Sequence, residues 1–411
     1  MEYKMIKEVA KINPENITKS YNKDYIMYLD TSNITNGTID EIVKIDIKDI
    51  PSRAKRIVRE NDIIYSTVRP NLCHYGILRN IIDNLIVSTG FAVIRCDETK
   101  VLPEYIYAYL TLPSITEKLH AIAETSTSAY PSIRPSDLEN MTIPIPDIEV
   151  QKRISKMLSS LEKKIELNSQ INDNLSKLMK NTYIEWFKNY NIPNENMNFK
   201  ESKLGKIPSN WKIEHLKDVF FFQEGPGIRN WQYVEENGTK FINIRCIKDN
   251  DLELGTANMI SEEEANGKYK HFMLNEWDVV VSTSGTLGRS QIIRKEHLPL
   301  CLNTSVIRFK PSNGFDEYAF MYNYLISDEF LNLLDMMATG SAQRNFGPMH
   351  LNQIDLVYPD KRTIKKFNNL VFPIIEAIQN NKSENIKLSI LRDTLLPKLM
   401  NGEIDIDKIE I

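Results

Sequence analysis

Few side chains in this 411-residue sequence stand at spacings that support catalysis. Phosphate binding by a P-loop needs a GxxxxGK[ST] string, whose amides and lysine surround the phosphate. The nearest string, Gly285-Thr-Leu-Gly288-Arg-Ser, has the wrong spacing and no lysine. The sequence also lacks HExxH, GxSxG, a GxGxxG after a strand, and the (Asp/Asn/Ser)-Pro-Pro-(Tyr/Phe) tetrapeptide of amino-methyltransferases. We therefore predict that the chain is not itself an enzyme.

Histidine and cysteine, the usual residues for metal binding and nucleophilic catalysis, are scattered along the sequence. The six histidines stand at positions 74, 120, 215, 271, 297 and 350. The four cysteines are Cys73, Cys96, Cys246 and Cys301, with no CxxC pair among them. This distribution excludes a disulfide framework and the common zinc motifs, and it fits a reducing compartment. We expect no metal site and no cofactor bound by this chain.

Composition and charge place the sequence among ordinary soluble proteins. Hydrophobic residues make up 42% of the chain and charged residues 26%, and at about 100–200 residues per domain the length predicts two to four domains. A formal charge of −4 argues against a continuous basic coat for nucleic acid but leaves a local basic face open. The sequence has no signal-peptide pattern and no apolar run of about 18 residues. We therefore expect a cytoplasmic protein.

The second half of the sequence repeats the first, mostly at an offset of 213 residues. Ser128-Ala-Tyr-Pro-Ser-Ile-Arg-Pro-Ser-Asp-Leu138 aligns with Ser341-Ala-Gln-Arg-Asn-Phe-Gly-Pro-Met-His-Leu351. Upstream the offset drifts by a few residues, so that Asp62–Thr67 resembles Asp278–Thr283. Matches of this kind in the same order indicate a chain built from two structural repeats.

Each repeat begins with a globular part. Short β-branched or aromatic runs such as Ile63–Tyr65 and Val279–Val281 predict strands, and segments such as Glu104–Leu112 and Glu317–Leu334 predict helices among them. We therefore predict a mixed α+β fold class with two α/β domains, residues 1–146 and 211–359, whose strand order is undetermined. Residues 189–210, with Pro193, Pro208 and several asparagines, are predicted to be a linker, and residues 403–411 a tail.

Each globular part is followed by a long predicted helix, residues 147–188 and 360–402. Asp147 and Asp360 are the predicted N-caps, because an aspartate carboxylate can accept hydrogen bonds from the free amides of the first turn. A heptad stripe follows each cap. In the first helix it contains Ile154, Leu158, Leu161, Ile165, Asn168, Asn172 and Leu175. In the second it contains Phe367, Val371, Ile374, Ile378, Asn381, Asn385 and Leu388. Pro397 should bend or fray the second helix, and Gly402 should stop it.

Two matched heptad helices in one chain most simply pack on each other as an antiparallel coiled coil with a pseudo-twofold internal repeat. A parallel pair would need the middle domain to carry the chain back along about 60 Å of helix. In the antiparallel arrangement, Asn168 and Asn172 would meet Asn381 and Asn385 and fix the register at some cost in stability. The alternative is that these asparagines are exposed where the seam opens.

Several strings, together with this architecture, resemble the specificity (S) subunit of type I restriction–modification systems over essentially the whole chain. Thr339-Gly-Ser-Ala-Gln343-Arg-Asn-Phe-Gly is similar to the GSAQ stretch of that family. Gly205-Lys-Ile-Pro-Ser-Asn-Trp211 is similar to the opening of a target recognition domain, and Leu395-Leu-Pro-Lys-Leu-Met-Asn-Gly-Glu-Ile404 to the family's tail. The first repeat departs from the pattern: it lacks this opening, and Ser128-Ala-Tyr-Pro replaces GSAQ.

The resemblance implies a non-catalytic reader of double-stranded DNA. Each target recognition domain would read one half of a bipartite asymmetric target, while the helices act as a spacer that sets the gap. Two methyltransferase (M) subunits would dock on the helices and carry S-adenosylmethionine and adenine-N6 chemistry, and restriction (R) subunits would complete the cleaving complex. No membrane partner is implied.

The resemblance also directs attention to loops that carry forked donors, since arginine pairs with guanine and asparagine or glutamine with adenine. A cluster of basic residues from Arg53 to Arg59 could hold phosphates. In the first domain the candidate DNA contacts are Arg53, Arg56, Arg69, Asn71, His74, Tyr130 and Arg134. In the second domain they are Arg229, Trp231, Gln232, Ser284, Arg289, Gln343, Arg344 and Asn345.

Two other functions stay open from the sequence. A structural coiled-coil adaptor would dock proteins without reading DNA, and it would leave the amide- and arginine-bearing loops unexplained. A fused DNA methyltransferase or nuclease with unrecognised catalytic motifs would transfer methyl groups or cut DNA alone. The missing motifs disfavour this last hypothesis most.

Overall fold

The computed structural model describes residues 2–18, 21–125, 130–338, 344–404 and 406. The chain divides into two units, and each of the two long helices contributes to both. Unit 1 comprises residues 1–165 and 386–411, and unit 2 comprises residues 166–385. Each unit therefore contains one globular part and a stretch of both helices.

The globular part of unit 1 is built on two four-stranded sheets. Its strands are β1 (Glu2–Met5), β2 (Ala10–Ile12), β3 (Tyr25–Leu29), β4 (Ile34–Thr35), β5 (Thr38–Ile39), β6 (Val43–Asp46), β7 (Ala54–Ile57), β8 (Ile63–Ser66), β9 (Tyr75–Ile77), β10 (Leu85–Ser88), β11 (Phe91–Cys96) and β12 (Thr142–Ile145). Its helices are α1 (Ile6–Val9), α2 (Pro103–Leu110), α3 (Pro113–Glu124) and α4 (Pro135–Glu139), followed by the long α5 (Ile148–Phe187). The sheet orders are β6-β3-β10-β7 and β2-β11-β8-β9, and β1 pairs with β12. Strands β3 and β10 run parallel, whereas β8 and β11 are antiparallel.

The central strands of unit 1 are continuous apolar runs because both of their faces are buried. In β11, Ala92 and Ile94 face a core that also contains residues of α2 and α3. The alternate residues Phe91 and Val93 face a second core shared with Leu29 of β3. A pleated strand that separates two cores needs apolar side chains at every position, which is the pattern seen in the sequence.

Unit 2 has a closely related set of elements. Its strands are β13 (Phe199–Ser202), β14 (Gly205–Pro208), β15 (Lys212–His215), β16 (Phe220–Glu224), β17 (Tyr233–Val234), β18 (Gly238–Ile242), β19 (Met259–Ser261), β20 (Val279–Ser282), β21 (Ser290–Ile292), β22 (Leu300–Leu302), β23 (Val306–Pro311) and β24 (Asp355–Tyr358). Its helices are α6 (Leu216–Val219), α7 (Glu262–Asn266), α8 (Tyr318–Leu325), α9 (Asp328–Met337) and α10 (Pro348–Leu351), followed by the long α11 (Lys361–Met400). The sheet orders are β17-β19-β18-β22 and β16-β23-β20-β21, and β15 pairs with β24.

The predicted internal repeat is confirmed by one sheet, one strand pair and the long helix of each unit. The sheet β2-β11-β8-β9 of unit 1 corresponds to β16-β23-β20-β21 of unit 2, and the pair β1-β12 to β15-β24. Helices α5 and α11 have 40 residues each and begin 213 residues apart. The mixed α and β content and the two long helices agree with the predicted fold class.

Both long helices begin as predicted. The Asp147 carboxylate accepts a hydrogen bond from the Val150 amide at 3.0 Å. The Asp360 carboxylate accepts from the amides of Arg362 and Thr363 at 3.0 and 3.1 Å. Helix α11 continues through Pro397 to Met400, and the backbone then turns at Gly402 with φ of +74°. Within the described residues, none of the helices has an apolar stretch long enough to cross a membrane.

The two long helices pack against each other in antiparallel orientation. In unit 2, the Asn168 amide donates to Asn385 Oδ1 at 2.8 Å, and the Asn381 amide donates to Asn172 Oδ1 at 2.8 Å. Residue numbers therefore rise along α5 while those of the paired residues fall along α11. Because Asn168 is 1% exposed and hydrogen-bonded across the seam, the alternative of an open seam with exposed asparagines is wrong at this position.

The same antiparallel pairing is visible in unit 1 from apolar contacts. Ile154 and Leu158 of α5 belong to one buried core with Leu396 and Leu399 of α11. The tail joins this core through Ile406, whose carbonyl accepts a hydrogen bond from the Arg153 guanidinium at 2.7 Å. The C-terminal end of α11 thus completes the core of the N-terminal domain.

The predicted linker contains structure that the sequence analysis did not predict. Strands β13 and β14 form an antiparallel hairpin within residues 189–210. Ile192 and Ile207, at 5% and 1% exposure, are buried. The segment is therefore packed against unit 2 and is not an extended tether.

The Asn172–Asn381 pair provides a test of the seam. Asn172→Leu alone should lower the free energy of unfolding by about 1–3 kcal/mol, because the Asn381 amide loses its partner. Asn172→Leu combined with Asn381→Leu should raise the melting temperature above that of the single variant and of the wild type, since two apolar residues replace a polar seam pair. Asn174→Leu, at an exposed position of α5, is the control. Equal effects of the single and double variants in thermal unfolding would contradict the pairing.

Candidate nucleic-acid interface

In unit 1, the loop that follows the central strand β8 is bound to the loop that precedes α4. The Ile133 amide donates to the Thr67 carbonyl at 2.8 Å, and the Arg69 amide donates to the Pro131 carbonyl at 2.9 Å. Val68 and Ser132 form an isolated β-bridge between these hydrogen bonds. We call this arrangement the loop junction of unit 1.

Unit 2 builds the same loop junction from different residues. The Phe346 amide donates to the Thr283 carbonyl at 3.1 Å, in the place of Ile133 and Thr67. Ser284 and Asn345 form the corresponding β-bridge. Because backbone groups form each junction, the side chains that a junction displays can differ without a change of fold.

The loop junction of unit 1 displays an arginine and a tyrosine together. Arg69 is exposed and has a left-handed backbone with φ of +47°. Its guanidinium carbon lies 5.2 Å from the centroid of the Tyr130 ring, and Tyr130 is 60% exposed. The predicted residues Asn71 and Arg134 are also exposed nearby in the sequence. A guanidinium held over an aromatic ring offers forked donors and a flat surface at one place.

The other predicted contacts in unit 1 differ in side-chain exposure and in whether they already form hydrogen bonds within the protein. Arg53 is exposed, whereas Arg56 is half-buried, donates to Asn16 Oδ1 at 2.8 Å, and has a pKa lowered by burial. Arg59 is paired with Glu15. His74 is half-buried, and its Nδ1 lies 2.6 Å from the Ile34 carbonyl oxygen, to which it donates. The predicted basic cluster is therefore divided between exposed and internally bonded groups.

In unit 2, Trp231 is the most exposed aromatic side chain among the described residues, at 80%. Arg229 beside it is exposed as well. Gln232, by contrast, is 6% exposed. Its amide donates to Glu264 at 2.8 Å and to the Tyr269 hydroxyl at 2.9 Å, and it accepts from the Arg229 amide. We therefore correct the expectation for Gln232: it supports the turn that presents Trp231.

The remaining candidates of unit 2 are mostly engaged within the protein. Ser284 is 6% exposed, which corrects its placement on an open loop. The Arg289 guanidinium pairs with Asp249 at 2.7 Å, and that of Arg344 pairs with Asp335 at 2.6 Å. Asn345 is exposed. Gln343 lies outside the described residues.

A buried polar network connects the edge of this sheet to α11 within unit 2. Arg294 is 5% exposed, and its guanidinium forms two hydrogen bonds with Asp251 at 2.9 and 2.7 Å. It also contacts Glu296, whose pKa is about 2 because hydrogen bonds from Ser383 and Arg294 outweigh the effect of burial. Burial and the neighbouring Arg294 charge lower the pKa of His297 to about 4. Sequence analysis missed this network because its members are scattered in sequence.

Metal chemistry has no support in the described residues, in which no group of three or more His, Cys, Asp or Glu side chains could hold an ion. The buried Cys246 and Cys301 thiols have raised pKa values, caused first by burial. Such thiols stay protonated and are poor nucleophiles. The exposed loops of the described residues carry groups suited to recognition.

Comparison with known proteins relates this geometry to one family. A family model described as the type I restriction modification DNA specificity domain matches residues 1–177 and 208–388. The chain is 25% identical over 438 residues to the type I restriction enzyme HindI specificity subunit of Haemophilus influenzae, covering 92% of this chain and 94% of that protein. It is 24% identical over 317 residues to the MjaIX specificity subunit of Methanocaldococcus jannaschii, covering 75% and 71%.

A solved structure shows the same fold. The crystal structure of the type-I restriction-modification system S subunit from M. genitalium superimposes with a TM-score of 0.56 and 16% identity, covering 97% of this chain and 96% of that one.

The buried network predicts a pH dependence of stability. The folded-state pKa of His297 is about 4, below its ordinary value of 6.5, so the unfolded chain takes up a proton first as the pH falls. The free energy of unfolding should therefore decrease from pH 6.5 towards about 4, and Glu296 should add a further loss below its ordinary 4.5.

Thermal unfolding followed by circular dichroism across this pH range measures the effect. His297→Gln should flatten the decrease above pH 4.5, whereas the exposed-site variant His271→Gln should leave it unchanged. A His297→Gln variant with the wild-type pH profile would show that His297 is not the titrating group.

Proposed function

Because the chain belongs to the type I restriction–modification DNA specificity family, we propose that its two recognition domains each read one half of a bipartite asymmetric DNA target. The protein is a specificity subunit with two recognition domains, and such subunits are non-catalytic. Proteins of this kind assemble with other restriction–modification subunits and with DNA.

One observation supports split reading above all others. The two loop junctions share an equivalent backbone hydrogen bond and an equivalent β-bridge but display different side chains. Unit 1 displays Arg69 and Tyr130, and unit 2 displays Asn345 at the corresponding bridge. The loop junctions of the two units therefore have a similar backbone and different hydrogen-bond donors, as the recognition of two different half-sites requires.

The displayed groups suit the edges of DNA bases. A guanidinium such as that of Arg69 can donate two hydrogen bonds to guanine, and an amide such as that of Asn345 can pair with adenine. The exposed ring of Trp231 provides an apolar surface for a base or a thymine methyl group. Arg53 and Arg229, both exposed, would bind phosphates and fix the orientation.

The long helices offer repeated surfaces to a repeated partner. Leu178 of α5 and Leu391 of α11 stand 213 residues apart and are 53% and 44% exposed. Two equivalent apolar positions suit two copies of one partner. We assign these partners as the methyltransferase subunits, which would carry S-adenosylmethionine and adenine-N6 chemistry, with restriction subunits joining for cleavage. This chain would contribute positioning of the target and would hold no cofactor.

The proposal is tested by co-expressing the chain with its neighbouring methyltransferase gene in a methylation-free host and mapping N6-methyladenine across the genome. We expect a split motif of two short blocks separated by a fixed run of unspecified bases, and a purified complex with two methyltransferase copies. A continuous motif would contradict the spacer role. A stable complex with an active partner but no methylation would favour the adaptor function.

Arg69 provides a prediction at the level of one residue. Arg69→Ala should reduce discrimination in only one half-site by about 1–3 kcal/mol, or roughly five- to 150-fold, because one bidentate contact is lost. The measurement is methylation of oligonucleotide libraries with single changes in each half-site. Arg79→Ala, which removes an arginine paired with Glu104 on the same unit, is the control. Equal loss of discrimination in both half-sites would contradict the assignment.

A further inference from the structure

A line of hydrogen-bonded side chains in unit 2, in which Gln291 and Arg294 are buried, leads from helix α11 towards the loop Ser282–Arg289. We call this loop the reading loop because its Ser284 forms the β-bridge with Asn345. The first link is Gln291 on β21, which is 4% exposed. Its side-chain oxygen accepts from Lys382 of α11 at 3.2 Å, and its nitrogen donates to the carbonyls of Lys248 and Asp249 at 2.8 and 3.1 Å. One amide therefore joins the helix to the loop Lys248–Asp251.

Arg294 provides a second link between α11 and the loop Lys248–Asp251. Its guanidinium donates to Gln379 of α11 at 3.3 Å and to both carboxylate oxygens of Asp251. Glu296, bound to the same guanidinium, accepts from the Ser383 hydroxyl of α11. Neighbouring residues of α11 are thus connected to the same loop through the side chains of Gln291 and Arg294.

The loop Lys248–Asp251 in turn holds the end of the reading loop. The Asp249 carboxylate lies 2.7 Å from the Arg289 guanidinium. The Arg289 amide donates to Ser282 Oγ at 3.0 Å, and that hydroxyl donates to the Thr286 carbonyl. These contacts therefore connect α11 to Ser282 and Arg289, the two ends of the reading loop.

Unit 1 has the same strands without these links. By strand register, Gln291 corresponds to Gly76, since Ile64 pairs with Gly76 as Val280 pairs with Gln291. Arg79 occupies the place of Arg294 after the corresponding strand. It is 39% exposed and bonds to Asn61 and Glu104 of the globular part. The fold is therefore built in unit 1 without a glutamine or a buried arginine at these positions.

Buried ionic and amide groups contribute little net stability, but their geometry is demanding. A bidentate arginine–carboxylate pair has a fixed planar arrangement, so it resists sliding of one element past another. We propose that Gln291 and Arg294 are positioning residues that hold the reading loop in register with α11 and so determine how strictly the gap between the two half-sites is measured. This inference rests on the proposed function.

The test uses the full complex with its methyltransferase partner and reads the gap directly. Three variants interrupt the path: Gln291→Leu, Lys382→Met, and Arg294→Met combined with Asp251→Asn, which removes both charges of the ion pair together. For each, methylation is measured on DNA carrying both native half-sites with the native gap, or with a gap one base pair longer or shorter. We expect methylation at the altered gaps to rise about tenfold relative to the native gap, with both half-sites unchanged.

Arg79→Met is the matched control and should leave the gap preference at the wild-type value. Lys382→Met changes a half-buried side chain at the edge of the network, so it tests the proposal even if a more buried variant fails to fold. Variants that keep the wild-type gap preference would overturn the inference while leaving the proposed function intact. A change of half-site sequence with an unchanged gap would also overturn it. A wild-type complex without any split motif would remove the proposed function itself.

Discussion

The antiparallel seam between α5 and α11 is the interaction on which both units depend. Each unit takes one stretch from each helix, so neither globular part has a complete core without the pairing. In unit 1 this is seen at Leu396, Leu399 and Ile406, which come from the end of the chain and are buried with the first domain. In unit 2, Phe367 and Val371 of α11 are buried with Tyr183 and Trp186 of α5. Apolar burial is the main favourable contribution to folding. Each domain therefore folds together with the stretches of the two helices that complete its core.

Polar groups in the seam give this contact a defined register. An apolar stripe alone tolerates shifts of one heptad, whereas the amide pairs Asn168–Asn385 and Asn172–Asn381 are satisfied in one alignment only. A shift would leave a buried amide without a partner, which costs more than the hydrogen bond gains. For a protein whose proposed function is to measure distance along DNA, a fixed helix register is worth this cost.

The sequence predicted the elements that depend on local pattern. The repeat, the caps at Asp147 and Asp360 and the meeting of the asparagines all follow from spacing and side-chain chemistry. It could not predict long-range pairing, such as the parallel contact of β3 with β10 or the hairpin of β13 and β14. It also misplaced Gln232, because an amide in a turn looks the same in sequence whether it faces solvent or, as here, Glu264 and Tyr269. The network around Arg294 was not predicted, because its members are far apart in sequence.

The proposed function requires the paired helices to set the gap between the two half-sites. The most direct measurement is the methylated motif of a variant with seven residues inserted into both helices, after residue 165 and before residue 386, where the two units meet in sequence. One heptad adds about 10 Å of helix, which is roughly three base pairs at about 3.4 Å each. We expect the same two half-sites separated by a gap about three base pairs longer. Unchanged spacing with intact methylation, or new half-sites, would contradict it.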